Sequence, residues 1–529
     1  MPPKGPVQKA MSRMSPADGG VVGRSVSFRP SARELRALTE AMPNARPTRY
    51  GNINVRTRVG SRSRSSTFIV TDTPERYSDP TIGHAEAAEL AAIQDRYMAS
   101  RDMVVVDGYI GSTQPHRRAA RLIVEADYAN IAAKQALLYH DPVAGDTPHS
   151  PELTVISTPS LSVPGYKNDR VIAVWLEEGV TRVINTDYFD ESKKAGLRMW
   201  SNRVFDAGGL VLHAGCKVIP TSTGLKPFIV IGLPDSGKTT MTFTSQKGSQ
   251  VVQDDFVALF ADGTIIPPQD GCIEKTFGLD PRWQPAIHSA ATSPEAYLEN
   301  VLQYDDVPDF FREEEGRSGR AVFNFRCIDS FPVDRIPPAS CLIVLNRNED
   351  VLPAVSRLDN AGVLRQFLLR EMRGWTAKDA HGEGSIVGPR EDQSLYGVAQ
   401  RGARLAELLE SHPIEAYLLN TGRVGGIASD ERSKRIRFED SFAVVEALAE
   451  GSVTWDGEGD LDGQVARDIP SIDDVELLQP RRLYERQNRM GEYEERVRLM
   501  KLERKVLLSS MPSLEEAGTR TSDFRRPVG

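Results

Sequence analysis

The chain of 529 residues carries 65 basic and 73 acidic side chains, a net charge of −8 at pH 7, and is 40% hydrophobic. This length allows two or more domains around a large core. The acidic balance argues against general nucleic-acid binding, which needs a basic face, and no apolar run approaches the roughly 18 residues that span a bilayer.

The two remaining compositional features concern the cellular compartment. The four cysteines, Cys216, Cys272, Cys327 and Cys341, show no CxxC spacing, which indicates buried or incidental thiols in a reducing compartment. The first twenty residues have no apolar core of the kind that a secretory signal requires. We therefore expect a cytoplasmic protein.

The first half of the chain begins with a segment of low periodicity. Residues 1–45 are rich in Pro, Gly, Ser and Arg and are predicted to be a mobile, disordered tail. From residue 52, alternating apolar residues predict strands, then a helix near 85–98 and a strand over 103–109. Short β-rich runs lead to a predicted helix at about 191–204 and the strand GLVLHAGCKVI.

The second half alternates strands and helices in the same way. The apolar strand FIVI enters a Gly-rich loop, and TTMTFTSQ leaves it as a helix. Later runs predict helices near 354–372 and 397–409, and a charged amphipathic helix near the end. Mixed strands and helices indicate an α/β fold. We predict an N-terminal domain over 46–215, a nucleotide-binding domain over 216–515 and a flexible tail over 516–529.

The Gly-rich loop Gly232-Leu-Pro-Asp-Ser-Gly-Lys-Thr239 satisfies the pattern G-x-x-x-x-G-K-[ST]. This spacing supplies backbone N–H groups, a helix N-terminus and a point cation, which together hold phosphates. Lys238 would reach the β- and γ-phosphates, and Thr239 would offer its hydroxyl to a divalent metal. Asp254-Asp255 follows a strand-like run and is a second metal-site candidate, because a hard cation prefers carboxylate oxygens. The loop indicates transfer of a phosphoryl group from a nucleoside triphosphate.

Several segments in order resemble the ATP-type phosphoenolpyruvate carboxykinases. YFDESKK, at 188–194, resembles the family's Y-G-G-E-M-K-K, and GLVLHAGCKV, around His213, is similar to L-x-M-H-x-S-A-N-V. GLPDSGKTT corresponds to GLSGTGKTT, and SGRAVFNFRCID, with Arg320, resembles N-T-R-V-S-Y-P-I-x-x-I-D. RVGSRSRSSTFIV aligns with T-G-R-S-P-K-D-x-F-I-V and places Arg62 on the substrate arginine. The resemblance runs from about residue 50 to about residue 515.

The resemblance implies a two-domain phosphoenolpyruvate carboxykinase-like α/β fold: an N-terminal substrate domain and a C-terminal P-loop nucleotide-binding domain with a lid. It also implies the carboxykinase reaction of gluconeogenesis, in which oxaloacetate and ATP give phosphoenolpyruvate, carbon dioxide and ADP. Oxaloacetate is a dianion, and arginines such as Arg62 and Arg320 suit its carboxylates through charge-assisted hydrogen bonds.

The metal site is implied by the resemblance in the same way. It would be a Mn²⁺ ion held by Lys194, His213 and Asp255, in addition to the Mg²⁺ that accompanies ATP. A lysine binds metal only as the neutral amine, so the pKa of Lys194 must fall, and the neighbouring charge of Lys193 favours that change.

The resemblance also assigns roles to individual residues. Tyr188 would hydrogen-bond the substrate carboxylate or the departing carbon dioxide, while Lys193 and Arg320 steady the transferred phosphate. The catalytic residues that it implies are Arg62, Tyr188, Lys193, Lys194 and Arg320. The ATP-binding residues that it implies are Gly232, Leu233, Pro234, Asp235, Ser236, Gly237, Lys238, Thr239, Thr240, Asp254, Gln284, Arg320, Arg435, Ile436 and Ser441.

Several positions depart from the family pattern. Pro234 and Asp235 stand where the family has Ser and Gly, which removes an N–H donor and adds a negative charge near phosphates. Gln284 replaces a glutamate of the nucleotide site, Phe256 replaces an acid, and the lid sequence after GWTAK is largely absent. Two alternatives stay open: a carboxykinase-fold kinase for a different small acceptor, and a nucleotide-binding regulatory protein without turnover. We expect a monomer or small homo-oligomer with neither a nucleic-acid nor a membrane partner.

Overall fold

A computed structural model describes residues 23–60, 63–74, 77, 80–143, 150–232, 236–369, 396–461 and 463–509. These residues form two compact units. The first unit comprises the described residues up to Val204 together with Pro267–Asp329. The second comprises Phe205–Ile266 and the described residues from Ser330 onward. The division therefore does not follow a single cut near residue 215, and the predicted functional roles of the two domains stay predictions.

Helices and strands are mixed along the chain, which confirms the α/β class. The strands are β1 (Ser25–Phe28), β2 (Ala45–Pro47), β3 (Ile53–Val55), β4 (Thr67–Val70), β5 (Thr81–Ile82), β6 (Asp102–Ile110), β7 (Arg118–Glu125), β8 (Leu153–Thr158), β9 (Val171–Trp175), β10 (Val180–Ile184), β11 (Leu210–Leu212), β12 (Ala214–Thr221), β13 (Gly224–Gly232), β14 (Gln250–Gln253), β15 (Val257–Leu259), β16 (Ile265–Ile266), β17 (Gly271–Lys275), β18 (Tyr297–Glu299), β19 (Leu302–Tyr304), β20 (Val307–Asp309), β21 (Arg320–Asn324), β22 (Cys341–Asn346), β23 (Val355–Leu358), β24 (Glu415–Asn420), β25 (Arg423–Val424), β26 (Lys434–Arg435), β27 (Thr454–Glu458) and β28 (Gln464–Asp468).

The α-helices are α1 (Ala32–Glu40), α2 (His84–Met98), α3 (Ala129–Leu138), α4 (Phe189–Asp206), α5 (Lys238–Phe243), α6 (Pro285–Ala291), α7 (Asn360–Leu369), α8 (Val398–Ser411), α9 (Phe438–Glu450), α10 (Val475–Leu478), α11 (Pro480–Arg486) and α12 (Met490–Ser509). Within the described ranges, no helix has the length and apolar character that a membrane span requires.

Apart from the two-stranded sheet β19-β20, the described part of the first unit contains two sheets. The larger has the strand order β1-β6-β7-β8-β10-β9-β4-β5. Its strands are rich in Val, Ile and Ala, and nearly all of β7 and β9 is buried, as expected for strands that are covered on both faces. The smaller sheet has the order β17-β21-β18-β3-β2. The parallel pairing of β3 with β18 brings residues 267–329 back to the N-terminal part of the chain.

The second unit is built on a mixed sheet of order β14-β12-β13-β22-β24-β23-β28-β27. β13, β22 and β24 are parallel neighbours, with Gly232 opposite Leu345 and Asn346 opposite Asn420. Their carboxyl ends therefore meet at one edge of the sheet, where open α/β sheets bind ligands. Side chains from β13, β22 and α9 pack into one hydrophobic core behind that edge.

Two predictions about local structure are wrong. Residues 23–45 are not a mobile tail, because β1 pairs with β6 and α1 starts with a capping box between Ser31 and Glu34. Residues 1–22 and 516–529 lie outside the described residues. The helix predicted over 354–372 begins only at Asn360, because β23 pairs with both β24 and β28 and is therefore held extended.

A glycine allows α5 to lie close to the sheet. Gly215 is on β12, and a Cβ atom added there would lie 1.9 Å from Thr242 Oγ1 and 2.9 Å from Asp254 Oδ1. Neither contact is sterically acceptable, so any larger residue would displace α5 or the end of β14. The approach of α5 to β12 thus depends on the missing side chain at this position.

We predict that Gly215→Ala destabilises the second unit by about 1–3 kcal/mol, the usual effect of overpacking. Urea unfolding would measure this change. Gly457→Ala is the matched control, because a Cβ at Gly457 meets no atom within 4 Å. Equal unfolding midpoints for the two variants would contradict the close approach of α5.

Candidate functional site

In the first unit, the turn from β10 into α4 and the start of β21 bring three predicted catalytic residues together. Tyr188 is 2% exposed and Lys193 is 1% exposed. Arg320 lies close enough to the Tyr188 oxygen to affect the pKa of the hydroxyl, although the two residues are 132 positions apart in the chain. Burial raises the pKa of Tyr188 to about 12, so that the hydroxyl stays protonated at neutral pH. Since arginine has no acceptor, the phenolic proton remains able to donate to another group.

One carboxylate serves both lysines of this cluster. Asp190 Oδ2 is 2.8 Å from Lys194 Nζ, and Asp190 Oδ1 is 3.9 Å from Lys193 Nζ. All three side chains are at most 5% exposed. Asp190 and Glu274 also raise the pKa of Arg320 against the opposing effect of its burial. Asp190 thus balances part of the positive charge of Lys193, Lys194 and Arg320.

Sequence reasoning missed Asp190, although its i+3 and i+4 spacing from the two lysines is visible in the sequence. It also missed Asp187 and Glu191. Asp187 accepts hydrogen bonds from the backbone N–H groups of Arg58 (2.6 Å) and Val59 (2.9 Å). Glu191 accepts one from the Ser63 N–H. These acids anchor the chain on both sides of Arg62, which itself lies outside the described residues.

In the second unit, the predicted phosphate loop begins at the end of β13. Leu233, Pro234 and Asp235 lie outside the described residues, whereas Ser236, Gly237 and the start of α5 are described. Gly237 has φ +94°, in the left-handed region that favours glycine. The Thr421 hydroxyl, which sequence reasoning also missed, lies 2.9 Å from the Ser236 carbonyl oxygen and 3.3 Å from that of Asn346. Thr421 therefore ties the loop to the carboxyl end of β22.

Asp254 is the partner of both functional side chains at the start of α5. Lys238 Nζ donates to its backbone carbonyl and lies 3.8 Å from its Oδ2 atom. The Thr239 hydroxyl donates to Oδ2 at 2.5 Å. Asp254 Oδ1 is buried and has no hydrogen-bond partner within the described part of the chain. An unpartnered carboxylate oxygen beside a threonine hydroxyl fits a hard divalent cation.

His213 and Asp255 lie side by side in the same unit. His213 occupies the break between β11 and β12, where one continuous strand was expected, and the Ala214 N–H donates to the Asp255 carbonyl at 3.1 Å. His213 Nε2 is 3.6 Å from Asp255 Oδ1. Two donors about 2.1–2.2 Å from a common ion lie roughly 3.0 Å apart at a right angle and roughly 3.6 Å apart at a tetrahedral angle, so the pair fits two ligands of one metal. The Phe256 ring, 5.2 Å from the His213 ring, forms an apolar wall.

The third predicted metal ligand, Lys194, belongs to the first unit, whereas His213 and Asp255 belong to the second. Over the residues that the structure describes, no group of three or more His, Cys, Asp or Glu side chains could hold a metal ion. A set with a lysine as its third member differs from such a group, so the predicted set stays a prediction.

The other predicted nucleotide residues are spread over both units. Gln284 precedes α6 in the first unit. In the second unit, Thr240 lies within α5 and Arg435 is exposed on β26. The Ile436 side chain is in the hydrophobic core, so only its backbone is available for a ligand. The Ser441 hydroxyl donates to the Arg437 carbonyl within α9.

The chain is similar in sequence to one protein family and to curated members of it. The ATP-type phosphoenolpyruvate carboxykinase family model matches residues 24–474. A phosphoenolpyruvate carboxykinase (ATP) of Mesorhizobium japonicum is 28% identical over 452 residues, which cover 79% of this chain and 80% of the relative. The protein of the same name from Novosphingobium aromaticivorans is 25% identical over 428 residues, covering 74% and 75%.

We predict a pH-dependent contribution from Glu191, whose pKa is raised by burial. A raised pKa favours the protonated carboxyl in the folded state, so this contribution to stability is present below pH 4.5 and is lost as the pH rises through the folded pKa. The urea midpoint of wild type should therefore fall with rising pH relative to that of Glu191→Gln.

The exposed Glu89 of the same unit provides the control for that measurement. The difference between wild type and Glu89→Gln should be the same at every pH. A difference between wild type and Glu191→Gln that also stayed constant from pH 4.5 to pH 8 would contradict the prediction.

Proposed function

Because the chain belongs to the phosphoenolpyruvate carboxykinase family over most of its length, as the sequence motifs predicted, we propose that it is an ATP-dependent phosphoenolpyruvate carboxykinase. It converts oxaloacetate and ATP to phosphoenolpyruvate, carbon dioxide and ADP, a step of gluconeogenesis. The observation that carries this proposal is the buried cluster of Tyr188, Lys193, Lys194 and Arg320. A protein that only binds nucleotide has no need of a buried cluster of two lysines, an arginine and a tyrosine in the first unit.

The acceptor chemistry belongs to the first unit. Arg62 and Arg320 hold the oxaloacetate carboxylates, and charge-assisted hydrogen bonds fix their orientation. The Tyr188 hydroxyl donates to the carboxylate that leaves as carbon dioxide. When the C–C bond breaks, its electron pair forms an enolate, whose oxygen then attacks the γ-phosphorus while ADP departs. Lys193 and Arg320 neutralise charge on the transferred group.

The donor chemistry belongs to the second unit, which we propose is a P-loop nucleotide-binding domain. The backbone N–H groups from Ser236 to Thr239 and the Lys238 ammonium hold the phosphates of ATP. Thr239 and Asp254 would hold the accompanying Mg²⁺ through a hydroxyl and the carboxylate oxygen that lacks a partner. Gln284, Arg435, Ile436 and Ser441 are assigned to the nucleoside.

Lys194, His213 and Asp255 would hold Mn²⁺, and this nitrogen-containing set suits Mn²⁺ better than Mg²⁺. When bound, the ion supplies Lewis-acid stabilisation of the negative oxygen that develops on decarboxylation. Lys194 must then leave its contact with Asp190 as the neutral amine. We propose that the protein acts in the cytoplasm as a monomer or small homo-oligomer.

We predict that purified protein forms phosphoenolpyruvate and ADP from oxaloacetate and Mg-ATP. Tyr188→Phe should lower kcat/KM for oxaloacetate about ten- to a hundredfold, the effect of losing a hydrogen bond to a charged group (about 1.5–3 kcal/mol), and should leave ATP binding unchanged. Lys238→Ala should instead weaken ATP binding itself. A coupled assay for phosphoenolpyruvate and calorimetry with ATP measure the two effects.

The exposed residues Tyr304 and Lys247 provide matched controls as Tyr304→Phe and Lys247→Ala, which should behave as wild type. ATP binding with phosphoryl transfer to another small acid, and no phosphoenolpyruvate, would favour a kinase with a different acceptor. ATP binding without any turnover would favour the regulatory alternative.

We predict that micromolar Mn²⁺ raises the rate above that with saturating Mg-ATP alone, because the His213 and Asp255 pair provides a site distinct from that of Asp254. His213→Ala should lose the stimulation by Mn²⁺. His84→Ala, at an exposed histidine that begins α2, is the control. Equal rates with and without Mn²⁺ in wild type would contradict the assignment.

A further inference from the structure

A lysine of the second unit is buried without a carboxylate contact among the residues that the structure describes. Lys217 lies on β12 and is 0% exposed. Its register partners on the neighbouring strands are Phe228 and Val251, which are also buried. Residues directly opposite each other in antiparallel strands point to the same face of a sheet. The aliphatic part of Lys217 is therefore packed between two apolar side chains.

The ammonium group is directed at the end of α5. Lys217 Nζ donates to the Met241 carbonyl (2.7 Å), to the Thr244 carbonyl (3.2 Å) and to Gln246 Oε1 (2.6 Å). These three acceptors satisfy the three donors of an ammonium. The last carbonyls of a helix have no partners inside the helix. Here the Lys217 ammonium binds one of them, that of Met241, together with two acceptors of the segment that follows α5.

A lysine in this environment lowers the stability of the fold if it only fills space. All three acceptors are uncharged, and burial lowers the pKa of Lys217 to about 7, with Glu446 of α9 acting in the opposite direction. A buried charge without an ionic partner reduces stability, and an apolar residue would fill the same volume at lower cost. The motif L-x-M-H-x-S-A-N-V, similar to GLVLHAGCKV, has Asn at the position of Lys217.

The element that Lys217 holds also carries the phosphate-binding side chains. α5 has only 6 residues, so Met241 stands one turn after Lys238. The Met241 N–H donates to Gly237, and the Thr242 hydroxyl donates to the Lys238 carbonyl at 2.9 Å. A displacement of the carboxyl end of so short a helix is therefore transmitted to Lys238 and Thr239.

We infer that Lys217 is a positioning residue for nucleotide binding: by holding Met241, Thr244 and Gln246, it fixes α5 and hence the place of Lys238 and Thr239. This inference rests on the proposed role of the second unit in binding ATP. Lys217 would thus affect the affinity for the triphosphate although its side chain is buried. It would have no effect on the use of oxaloacetate.

The test is Lys217→Met, which keeps the length and apolar packing of the side chain but removes the ammonium. We expect the Kd for ATP, measured by calorimetry, to rise about tenfold or more, as is common for groups that orient ligand-binding residues. The KM for oxaloacetate at saturating ATP should stay unchanged. Without nucleotide, amide hydrogen exchange should become faster in peptides that cover 238–246.

Lys226→Met is the matched control. Lys226 lies on the adjacent strand β13 and donates to Ala449, a carbonyl at the end of α9 (2.8 Å). This variant should leave both the Kd for ATP and exchange over 238–246 as in wild type. Lys217→Gln, which keeps an N–H donor on a shorter side chain, should give intermediate values of the Kd for ATP and of the exchange rate. If Lys217→Met does not fold, Lys217→Gln is compared with Lys226→Met instead.

The outcomes separate this inference from the proposed function. If wild type binds ATP but forms no phosphoenolpyruvate, the proposed reaction fails, and the comparison of ATP affinities still decides the role of Lys217. Unchanged ATP affinity in Lys217→Met would overturn the inference, as would an equal loss in Lys226→Met. Absence of ATP binding by wild type would overturn both.

Discussion

The acidic first turn of α4 is the constraint on which the first unit's site depends. Lys193, Lys194 and Arg320 are like charges held close together in a poorly solvated place, where their mutual repulsion is strong. Asp190 offsets that repulsion. The flanking acids Asp187 and Glu191 anchor the chain around Arg62. Carboxylates at the start of a helix are also stabilised by the helix dipole. The same few residues thus start the helix, balance the lysines and hold the chain on both sides of Arg62.

In the second unit, the main constraint is that a very short helix, α5, must be held in one position. α5 is too short to be stable by its own hydrogen bonds, so its position depends on contacts with the sheet. Gly215 lets it approach β12, and Lys217 holds its carboxyl end. Thr421 ties the preceding loop to β22, and Asp254 receives hydrogen bonds from Lys238 and Thr239. Several elements thus hold this edge of the sheet independently, as the phosphate-binding role proposed for it requires.

Much of the architecture followed from periodicity and motifs. Long, strongly apolar runs were predicted as the strands that they are, and the motifs predicted the family, which the family match confirms. The failures have tertiary causes. Residues 355–358 have a helix-compatible pattern but pair with strands on both sides. Residues 23–45 have a disorder-like composition, yet the register of β1 on β6 and a capping box keep them ordered.

By itself, the sequence determined the family and the candidates for the chemistry-bearing residues, because the predicted phosphate loop, the lysine pair and the histidine lie in short contiguous motifs. Tertiary structure alone decided which side chains meet. Arg320 lies on β21, which is joined through β18 to β3, and it comes close to Tyr188 only in the folded chain. Likewise, only the sheet order directs Lys217 toward α5. Supporting residues such as Asp190, Thr421 and Lys217 are common residue types in ordinary positions. The roles of Thr421 and Lys217 come from partners distant in the chain, and that of Asp190 comes from its burial with the two lysines. Local sequence predicts neither distant partners nor burial.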